Sequence, residues 1–518
     1  MGVAAVTTIS RPRVKQTKLL IHGEWVNSKS GRTFEDIDPA TGEVIAHVAE
    51  GGPEDVDAAV KAARRAFEEG PWPKMSARQR GLLLLKLADL IEQNAQELAA
   101  IEVLDKGKPI REALEGDLPL VVATFRYFAG WADKVVGETL PVDHPEHYFC
   151  YTRREPVGVC GQIIPWNFPL LMAAWKWAPA LACGNTVVLK PAEQTPLSAL
   201  RLGELAMEAG FPPGVINIVN GFGETAGDAL VKHPGVDKIA FTGEYKTAQI
   251  IMANAASTLK RISFELGGKA PNIVFADADM DAAVQGAMDG IFFNQGEVCC
   301  AGSRIFVEEK IHDEFVSRLA DRARKRKVGD PFDPTTEQGA QVSKEQFDKV
   351  MRYIEIGRKE DKARCVAGGE PVGGKGYFIR PTVFTEVKNN MRIAQEEIFG
   401  PVAAVLRFKD EGDLVREANT TIYGLSAGVW TRDIGRAHSI ANRIRAGTIW
   451  VNCYNAFDPC APFGGYKYSG MGRENGREVL EHYTEVKTVW VNLARGWGLR
   501  SEGRVVSPGR RRRSPPGR

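Results

Sequence analysis

An α/β fold with mainly parallel strands is predicted for most of this 518-residue chain. From about residue 157, short β-branched runs alternate with segments of helical periodicity, which is typical of βαβ units. The five runs are VGVCGQII, NTVVLK, VINIV, KIAFTG and KRISFEL. Helical crossovers require parallel strands covered on both faces, and ligands then bind at the carboxyl ends of those strands. We therefore expect the chemistry of the protein to lie where these strands end.

Helical segments precede the strands. EDVDAAVKAARRAFEEG places its apolar residues on one helical face and should end at Gly70. Ser76 followed by Gln79 forms a capping-box pattern, which predicts one long amphipathic helix over SARQRGLLLLKLADLIEQNAQELAAIEVL. After Glu265 a second alternating region runs to about residue 475. The length and the alternation together indicate about three domains.

Composition and charge exclude several classes of protein. Hydrophobic residues make up 44% and charged residues 25%, which is typical of globular rather than disordered or fibrous proteins. The formal charge is +2, but the last 24 residues hold eight arginines and one glutamate, a net +7, which leaves −5 for the rest. We expect no nucleic-acid partner, because an acidic body does not neutralise phosphates. The basic tail, residues 495–518, is expected to be disordered.

Cysteine spacing and hydropathy bear on location. Eight cysteines are scattered without C-x-x-C spacing or a histidine cluster, so we expect no metal site and free thiols in a reducing compartment, the cytoplasm. We expect no secretory signal at the start of the chain and a disordered extension over residues 1–17, although their lack of acids is also found in transit peptides. Residues 156–175 carry no charge over a membrane's thickness, but Pro165 and Pro169 predict strand, turn and helix rather than a membrane span.

Two adjacent cysteines, Cys299 and Cys300 in FFNQGEVCCAGSR, are candidate nucleophiles, and Gly296 before them permits a turn. Such a pair alone is more commonly part of the core. Glu265 ends a buried strand, where it either pairs with a lysine or is kept for proton transfer. Asn167 in PWNFP either caps the following helix or donates to a developing oxyanion. A nucleophile, a base and an oxyanion donor are therefore all present.

Five ordered motifs, PWNFP, KPAEQTP, FELGGKAPN, FFNQGEVCCAG and EEIFGPV, resemble those of the NAD-dependent aldehyde dehydrogenase superfamily from about residue 19 to residue 493. The resemblance implies that an aldehyde is oxidised to the carboxylic acid with NAD. It implies that Cys299 is the nucleophile and Cys300 a neighbour in the pocket. The Asn167 amide and the Cys299 N–H would hold the oxyanion of the hemithioacetal, and Glu265 would activate the water that hydrolyses the thioester.

The resemblance also implies the cofactor and substrate residues. Lys190 and Glu193 of KPAE would lie at the adenosine ribose, and Glu397 and Phe399 of EEIFG at the nicotinamide ribose and ring; a glutamate at ribose hydroxyls favours NAD over NADP. Two further residues complete the implied cofactor set: Trp166 and Gly243. The implied substrate tunnel, which suits uncharged aliphatic or aromatic aldehydes, is lined by Phe168, Met172, Trp175, Cys300, Phe457 and Phe463.

One loop departs from the family pattern. Where relatives have a small hydroxyl residue and then a second glycine, FTGEYKTA carries Glu244 and Ala248. A carboxylate at a helix N-terminus opposes a diphosphate bound there, although Lys246 is placed to compensate. We hypothesise that this loop weakens or re-routes NAD binding, with Glu244 turned to solvent in the complex.

The family architecture implies an aldehyde dehydrogenase-like fold with a Rossmann-like NAD-binding domain, residues 18–138 and 157–267, and an α/β catalytic domain, residues 268–479. A small β arm, residues 139–156 and 480–494, would form the oligomer, a homodimer or homotetramer; HYTEVKTVWVNL alternates as an edge strand does. Two alternatives stay open. One is a non-catalytic scaffold or tether, favoured by the altered loop and the arginine tail. The other is a cysteine-dependent esterase, which would form no NADH.

Overall fold

The computed structural model describes residues 9–493, so the expectations for residues 1–8 and 495–518 concern residues outside that range. The strands, numbered along the described chain, are β1 (Leu19–Ile21), β2 (Glu24–Val26), β3 (Thr33–Asp38), β4 (Glu43–Ala49), β5 (Thr139–Leu140), β6 (Tyr148–Pro156), β7 (Val159–Ile163), β8 (Thr186–Lys190), β9 (Ile216–Ile218), β10 (Lys238–Gly243), β11 (Arg261–Leu266), β12 (Pro271–Val274), β13 (Arg304–Glu308), β14 (Arg364–Ala367), β15 (Thr382–Thr385), β16 (Val402–Phe408), β17 (Ser426–Trp430), β18 (Thr448–Val451), β19 (Gly470–Met471) and β20 (Thr484–Asn492).

The α-helices of the same residues, numbered in the same way, are α1 (Pro53–Glu68), α2 (Ala77–Gln93), α3 (Ala95–Lys106), α4 (Ile110–Glu112), α5 (Leu118–Trp131), α6 (Pro169–Ala182), α7 (Leu197–Ala209), α8 (Asp228–Lys232), α9 (Tyr245–Ala255), α10 (Met280–Phe292), α11 (His312–Lys325), α12 (Lys344–Lys359), α13 (Arg392–Gln395), α14 (Glu411–Asn419), α15 (Ile434–Arg443) and α16 (Val479–His482). Short 3₁₀ turns lie at Trp72–Lys74, Ala256–Thr258, Phe293–Gly296, Glu309–Ile311 and Lys467–Ser469, and π turns at Ala113–Asp117 and Gly223–Gly227.

The first sheet contains the five predicted strands, which confirms their existence and their parallel pairing. Its order is β19-β11-β10-β7-β8-β9-β1-β2, and β7 to β11 are parallel neighbours, whereas β1, β2 and β19 pair antiparallel at the flanks. α6 and α7 contact one part of the sheet, and apolar residues of α1, α8 and α9 form a separate cluster with β7, β10 and β11. The strand order reverses between β7 and β10, which is where a doubly wound sheet opens a crevice for a ligand.

The second sheet corresponds to the alternating region predicted after Glu265. Its order is β14-β15-β16-β13-β12-β17-β18, and all of its pairs are parallel except β14 with β15. The FELGGKAPN stretch connects the two sheets, because β11 ends at Leu266 and β12 begins at Pro271. Residues of one motif therefore contribute to the ends of both sheets.

The long helix predicted after Ser76 is interrupted, and this part of the prediction is wrong. The capping box forms, since the Gln79 N–H donates to Ser76 Oγ at 3.3 Å and the Ser76 N–H donates to Gln79 Oε1 at 2.9 Å. At Asn94, however, the side-chain amide donates to the carbonyl of Leu90 at 2.8 Å, and α3 begins at the next residue. Asparagine competes for backbone hydrogen bonds in this way, which apolar periodicity does not register.

The uncharged stretch at residues 156–175 forms strand, turn and helix, as predicted: β7, then the PWNFP turn, then the start of α6. Among residues 9–493, no helix is both long enough and apolar enough to cross a membrane. Residues 9–17, expected to belong to a disordered extension, form no helix or strand but contact the protein, since Arg11 Nε lies 3.3 Å from Asp38 Oδ2. This short segment therefore differs from the expectation.

The described chain divides into two compact units. The large unit, residues 9–135 and 155–485, contains both large sheets. Its strand β19, which begins at residue 470 and was expected in the catalytic domain, pairs with β11 of the first sheet. The small unit, residues 136–154 and 486–493, contains most of a three-stranded sheet of order β20-β6-β5, with β20 at an edge. These limits differ by a few residues from those expected for the arm.

Candidate active site

A cavity of about 1500 Å³ lies at the carboxyl ends of β7, β10 and β11, in the large unit. Ile163, Gly243 and Leu266, at the ends of these three strands, all contribute to its wall. The same wall contains Asn167, Glu265 and Cys299, which are separated by up to 132 positions in the sequence. The expectation that functional residues gather where the strands end is therefore met.

A tight turn between α10 and β13 delivers Cys299 to the cavity. Asn294 and Gln295 adopt the left-handed conformation, with φ of 47° and 56°, and Gly296 follows with φ of 75°. A side chain at Gly296 would collide with the carbonyl oxygen of Gly400, so this turn requires glycine. The turn leaves Cys299 partly exposed in the cavity wall, whereas Cys300 is 1% exposed. Both cysteines line the cavity, but Cys299 is the more exposed of the two.

Contacts from three directions hold the cysteine pair. Tyr454 Oη donates to the carbonyl of Cys300 at 2.8 Å, and Ser426 Oγ donates to the same oxygen at 3.2 Å. A Cβ on Gly268 would lie 2.5 Å from the carbonyl oxygen of Cys299, so the second glycine of FELGG permits this close approach. A hydrogen bond with Cys300, and then burial, raise the pKa of the Cys299 thiol well above its usual range. The resting thiol is therefore protonated at neutral pH, and its proton must leave before attack.

Asn167 is bonded to the cysteine turn rather than to the helix that follows it. Its Nδ2 donates to the carbonyl of Glu297 at 3.0 Å, and Asn294 Nδ2 donates to the carbonyl of Asn167 at 2.9 Å. The N-cap of α6 is Phe168, without a side-chain cap, so the helix-capping alternative is not observed. A primary amide has two N–H donors. The second N–H of Asn167 thus stays available for a ligand in the cavity.

Glu265 is a buried carboxyl group that lacks a partner. It is 6% exposed, and neither carboxylate oxygen has a hydrogen-bond partner among residues 9–493. Burial first, and then the charge of Glu474, raise the pKa of Glu265 well above its usual range. The alternative of a lysine partner is not observed, because Lys176 pairs with Glu474 instead. An unpaired buried carboxyl group costs folding free energy, which favours a role in proton transfer.

Several buried ion pairs beside the site were missed by the sequence analysis. Lys176 and Glu474, 298 positions apart, form one of them. Lys106 pairs with Glu297, whose Oε1 also accepts the Val342 N–H at 3.1 Å, so this pair supports the turn before Cys299. The signal available in the sequence was the charge of the lysines inside apolar segments such as VLDKGKP and AAWKWAP. Sequence alone does not identify their partners.

The predicted cofactor residues line the cavity, with one exception. Trp166, Glu193, Gly243, Glu397 and Phe399 all contribute to the wall. The exception is Lys190, which is buried and whose Nζ donates to Glu193 Oε2 at 3.0 Å.

Among these cofactor residues, Glu397 is bonded to the main chain, and Trp166 and Phe399 form an aromatic pair. Glu397 Oε1 accepts the Gly268 N–H at 2.9 Å, and burial raises the pKa of Glu397 to about 7. The rings of Trp166 and Phe399 meet edge to face with centroids 5.2 Å apart. A crevice at the reversal of the strand order, with carboxylate acceptors and aromatic faces, fits a dinucleotide.

The two departures in FTGEYKTA face different environments. Glu244 is the N-cap of α9, makes no side-chain capping bond, is exposed, and lines the cavity. Its charge contributes to the raised pKa of Glu397. Ala248 is 3% exposed and belongs to the apolar cluster between the first sheet and its helices. Only Glu244 therefore presents an unusual group to the cavity.

All six predicted tunnel residues line the cavity. Phe463 lies 5.6 Å from Trp175 and 5.5 Å from Phe457, measured between ring centroids, so these rings form one continuous aromatic side. Asp289 and Asn455 also line the cavity. Asp289 was not predicted to contribute to the substrate site, and it had no local signal beyond being an acid in an apolar helix.

Known proteins resemble this chain over most of its length. Residues 25–489 match the aldehyde dehydrogenase family. The chain is 56% identical over 489 residues to aldehyde dehydrogenase family 2 member B4, mitochondrial, of Arabidopsis thaliana, across 94% of this chain and 90% of that protein. It is 56% identical over 482 residues to retinal dehydrogenase 2 of Homo sapiens, across 93% and 92% of the two chains. The NAD+ complex of aldehyde dehydrogenase from Bacillus cereus is 52% identical, with a TM-score of 0.91 and coverage of 93% and 97%.

These similarities agree with the motif order and with the position of the cavity. The matched region contains the second sheet, the first sheet apart from β1 and the start of β2, and all the cavity residues named above. The comparisons give no support to the scaffold or esterase alternatives. The chain belongs to the aldehyde dehydrogenase family and is an NAD-dependent enzyme that oxidises aldehydes.

Proposed function

We propose that Cys299 is the nucleophile of this dehydrogenase, Asn167 its oxyanion donor and Glu265 its general base, and that the product is a carboxylic acid. One observation supports this assignment most: a single cavity wall contains a partly exposed thiol, an amide with a spare N–H and a buried carboxyl group without a partner. These are the parts that acyl transfer through a thioester requires.

In the first step the partly exposed Cys299 thiol loses its proton to solvent, and Sγ then attacks the carbonyl carbon of the aldehyde. The negative charge that develops on the carbonyl oxygen is stabilised by the free N–H of Asn167 and by the backbone N–H of Cys299. The bond from Asn167 to Glu297, two residues before Cys299, keeps the amide in position relative to the nucleophile. Such a preorganised donor lowers the barrier because it does not reorient during the reaction.

The cofactor part of the cavity would hold NAD through Glu397 and Glu193, with Trp166, Gly243 and Phe399 in contact and Lys190 orienting Glu193. When bound, NAD supplies the acceptor for the hydride that leaves the cysteine adduct. A carboxylate beside a ribose accepts hydrogen bonds from its hydroxyls and repels an added phosphate. The residues therefore support NAD rather than NADP.

The last step is hydrolysis of the Cys299 thioester. Glu265 accepts a proton from the water that attacks the acyl carbon, and its raised pKa suits a base that works near neutral pH. Both of its oxygens are free of protein partners among the described residues, so they are available to orient that water.

The aromatic side of the tunnel supports uncharged aliphatic or aromatic aldehydes as substrates. Phe168 and Met172 are buried in the wall beside the ring cluster of Trp175, Phe457 and Phe463. The relative named retinal dehydrogenase 2 is consistent with a preference for an apolar aldehyde.

The test is NADH formation with a panel of short aliphatic and aromatic aldehydes, measured for wild type, Cys299→Ala and Cys300→Ala. We expect Cys299→Ala to abolish turnover, because Cys299 is the more exposed of the two thiols in the wall. Cys300→Ala should keep most of it, because the Cys300 side chain is only 1% exposed. Turnover retained by Cys299→Ala would refute the assignment, and ester hydrolysis without NADH would indicate an esterase.

An oligomer is proposed from the small unit. The strand β20 of this unit lies at a sheet edge. The exposed residues of the unit include Tyr148 and Phe149 of β6 and Trp490 of β20. An exposed apolar edge strand is typical of an interface. A homodimer or homotetramer should be seen by light scattering, and a monomer at micromolar concentration would contradict this.

The cytoplasm is proposed as the location, because all eight cysteines are free, which fits a reducing compartment. The Arabidopsis thaliana relative reported above is named as mitochondrial. Cell fractionation distinguishes the two compartments, and recovery with mitochondria would overturn the cytoplasmic proposal.

A further inference from the structure

The tunnel that leads to Cys299 has a polar side as well as an aromatic one. Trp175, Phe457 and Phe463 form the aromatic side, and Asp289 and Asn455 contribute polar groups to the same cavity. An apolar substrate would contact only the aromatic side. The polar groups therefore need a separate explanation.

Asp289 occupies an unfavourable position for a purely structural acid. It lies in the last turn of α10, where the negative end of the helix dipole disfavours a carboxylate. Its Oδ1 accepts the side-chain N–H of Gln285 at 2.9 Å, and among the described residues its Oδ2 has no hydrogen-bond donor. Asp289 is exposed and lines the cavity, so its Oδ2 is open to a ligand that enters the tunnel.

The surroundings of Asp289 favour a neutral donor over a cation. Arg326 and Arg322 both act on its carboxyl group and oppose the rise in its pKa that burial causes. Arg322 is held in place by Gln285 Oε1, to which its Nη1 donates at 2.7 Å. Because two guanidinium groups already offset the negative charge, a substrate ammonium group would gain little, whereas a hydroxyl group can still donate to the free Oδ2.

Asn455 connects the main chain at Asp289 to the cysteine pair. Its Nδ2 donates to the main-chain carbonyl of Asp289 at 3.1 Å, and its Oδ1 accepts from Cys300 Sγ at 3.7 Å. The Asn455 side chain therefore spans the wall between Cys300, which is next to the nucleophile, and the last turn of α10. A substrate whose carbonyl carbon lies at Cys299 would then point its far end towards Asp289.

We propose that this enzyme accepts aromatic aldehydes that carry a hydroxyl group at the end opposite the aldehyde, and that Asp289 accepts the hydrogen bond from that hydroxyl. The ring lies along the aromatic side and the hydroxyl along the polar side. Asn455 is a positioning residue, since it holds the C-terminal end of α10 against the tunnel. This inference rests on the proposed function, because it assumes that Cys299 is the nucleophile.

The test compares two aldehydes that differ by one neutral hydroxyl group, 4-methylbenzaldehyde and 4-(hydroxymethyl)benzaldehyde. A second pair with the corresponding cinnamaldehydes covers a longer reach. In wild type we expect kcat/KM to be about tenfold higher for the hydroxylated member of at least one pair, mainly through a lower KM, because one hydrogen bond to a charged acceptor is gained. The preference should fall to about one in Asp289→Leu and be reduced in Asp289→Asn.

The control is Asp281→Asn, on the same helix. Asp281 is exposed, pairs with Arg318 at 2.9 Å and does not contribute to the cavity wall, so this variant should keep the wild-type preference. Protonated 4-[(dimethylamino)methyl]benzaldehyde tests the charge argument, and a preference for it over the hydroxylated aldehyde would overturn the proposal in favour of cation recognition. Equal kcat/KM within both pairs in wild type would also overturn it. No NADH from any of these aldehydes would instead refute the proposed function.

Discussion

Two buried glutamates near the nucleophile differ in their partners, and this difference separates a catalytic from a supporting role. Glu474 is paired with Lys176, whereas both carboxylate oxygens of Glu265 lack a partner in the described part of the chain. Desolvation raises the pKa of Glu265, and its charge is further disfavoured by Glu474. The supporting pair thus contributes to the proton affinity of the proposed base.

Glu265→Gln should separate the two halves of the reaction. The amide cannot accept a proton from water, so hydrolysis of the thioester should slow by about 10²- to 10⁴-fold, while the first turnover still forms NADH. Rapid-mixing measurements should show a burst of NADH close to one equivalent per active site, followed by slow turnover. Loss of the burst together with turnover would show that Glu265 is needed before the thioester forms.

The kcat of the wild-type enzyme should also depend on the protonation state of Glu265. A carboxyl group with a raised pKa is protonated, and inactive as a base, over a wider acidic range, so kcat should decline as the pH is lowered below neutral. A flat kcat profile across that range would contradict the assignment of Glu265.

At the scale of elements, α9 begins in the FTGEYKTA loop, where Glu244 and Ala248 differ from the residues that the family resemblance implies. Its N-cap residue, Glu244, is exposed in the cavity wall, and its Ala248 methyl group packs into the core. The first turn of a helix attracts anions through its free N–H groups, and a carboxylate at that position competes with them. The departure should therefore affect binding of the dinucleotide rather than folding.

Glu244→Ser should tighten NAD binding by about three- to tenfold at low ionic strength and by less at high salt, because the repulsion between the carboxylate and the diphosphate is removed. The dissociation constant can be measured from tryptophan fluorescence without turnover. Glu54→Ser is a matched control, since Glu54 is exposed in the first turn of α1 and is not part of the cavity wall. An unchanged dissociation constant in Glu244→Ser would refute the hypothesis.

At the scale of the whole molecule, buried ion pairs join segments that are distant in the chain. Lys176 of α6 meets Glu474, which follows β19, and Lys106 of α3 meets Glu297 beside the nucleophile. In each pair both side chains are at most 3% exposed. Removing one partner leaves a buried charge, which is more costly than replacing both.

Lys176→Met should therefore lower the free energy of unfolding by about 3–5 kcal/mol, and Lys176→Met combined with Glu474→Leu by less. Lys61→Met provides the contrast, because its partner Asp57 is exposed, and about 0–1 kcal/mol is expected. Urea denaturation of the three variants measures these differences. If the double variant were less stable than Lys176→Met alone, the pair would be net stabilising and this account of it would be wrong.

The motifs and periodicities that identified the fold are local in the sequence. For that reason the sequence alone was sufficient to predict the fold class. The five strands of the first sheet and the capping box at Ser76 were predicted from runs of a few residues each. The break at Asn94 was missed because a single side-chain hydrogen bond to Leu90 outweighs the apolar pattern. The order of five motifs also indicated the family before any contact was known.

The sequence by itself determined the α/β class, the aldehyde dehydrogenase family and the residue types available for catalysis. Only the tertiary structure decided which of the two cysteines is the more exposed, that Asn167 bonds to Glu297 rather than capping α6, and that Glu265 lacks a partner among the described residues. It also placed Asp289 in the tunnel wall. The physical reason is distance along the chain: hydrogen bonds and charge pairs between segments separated by 130 or 298 positions depend on how the sheets pack, which no local pattern specifies.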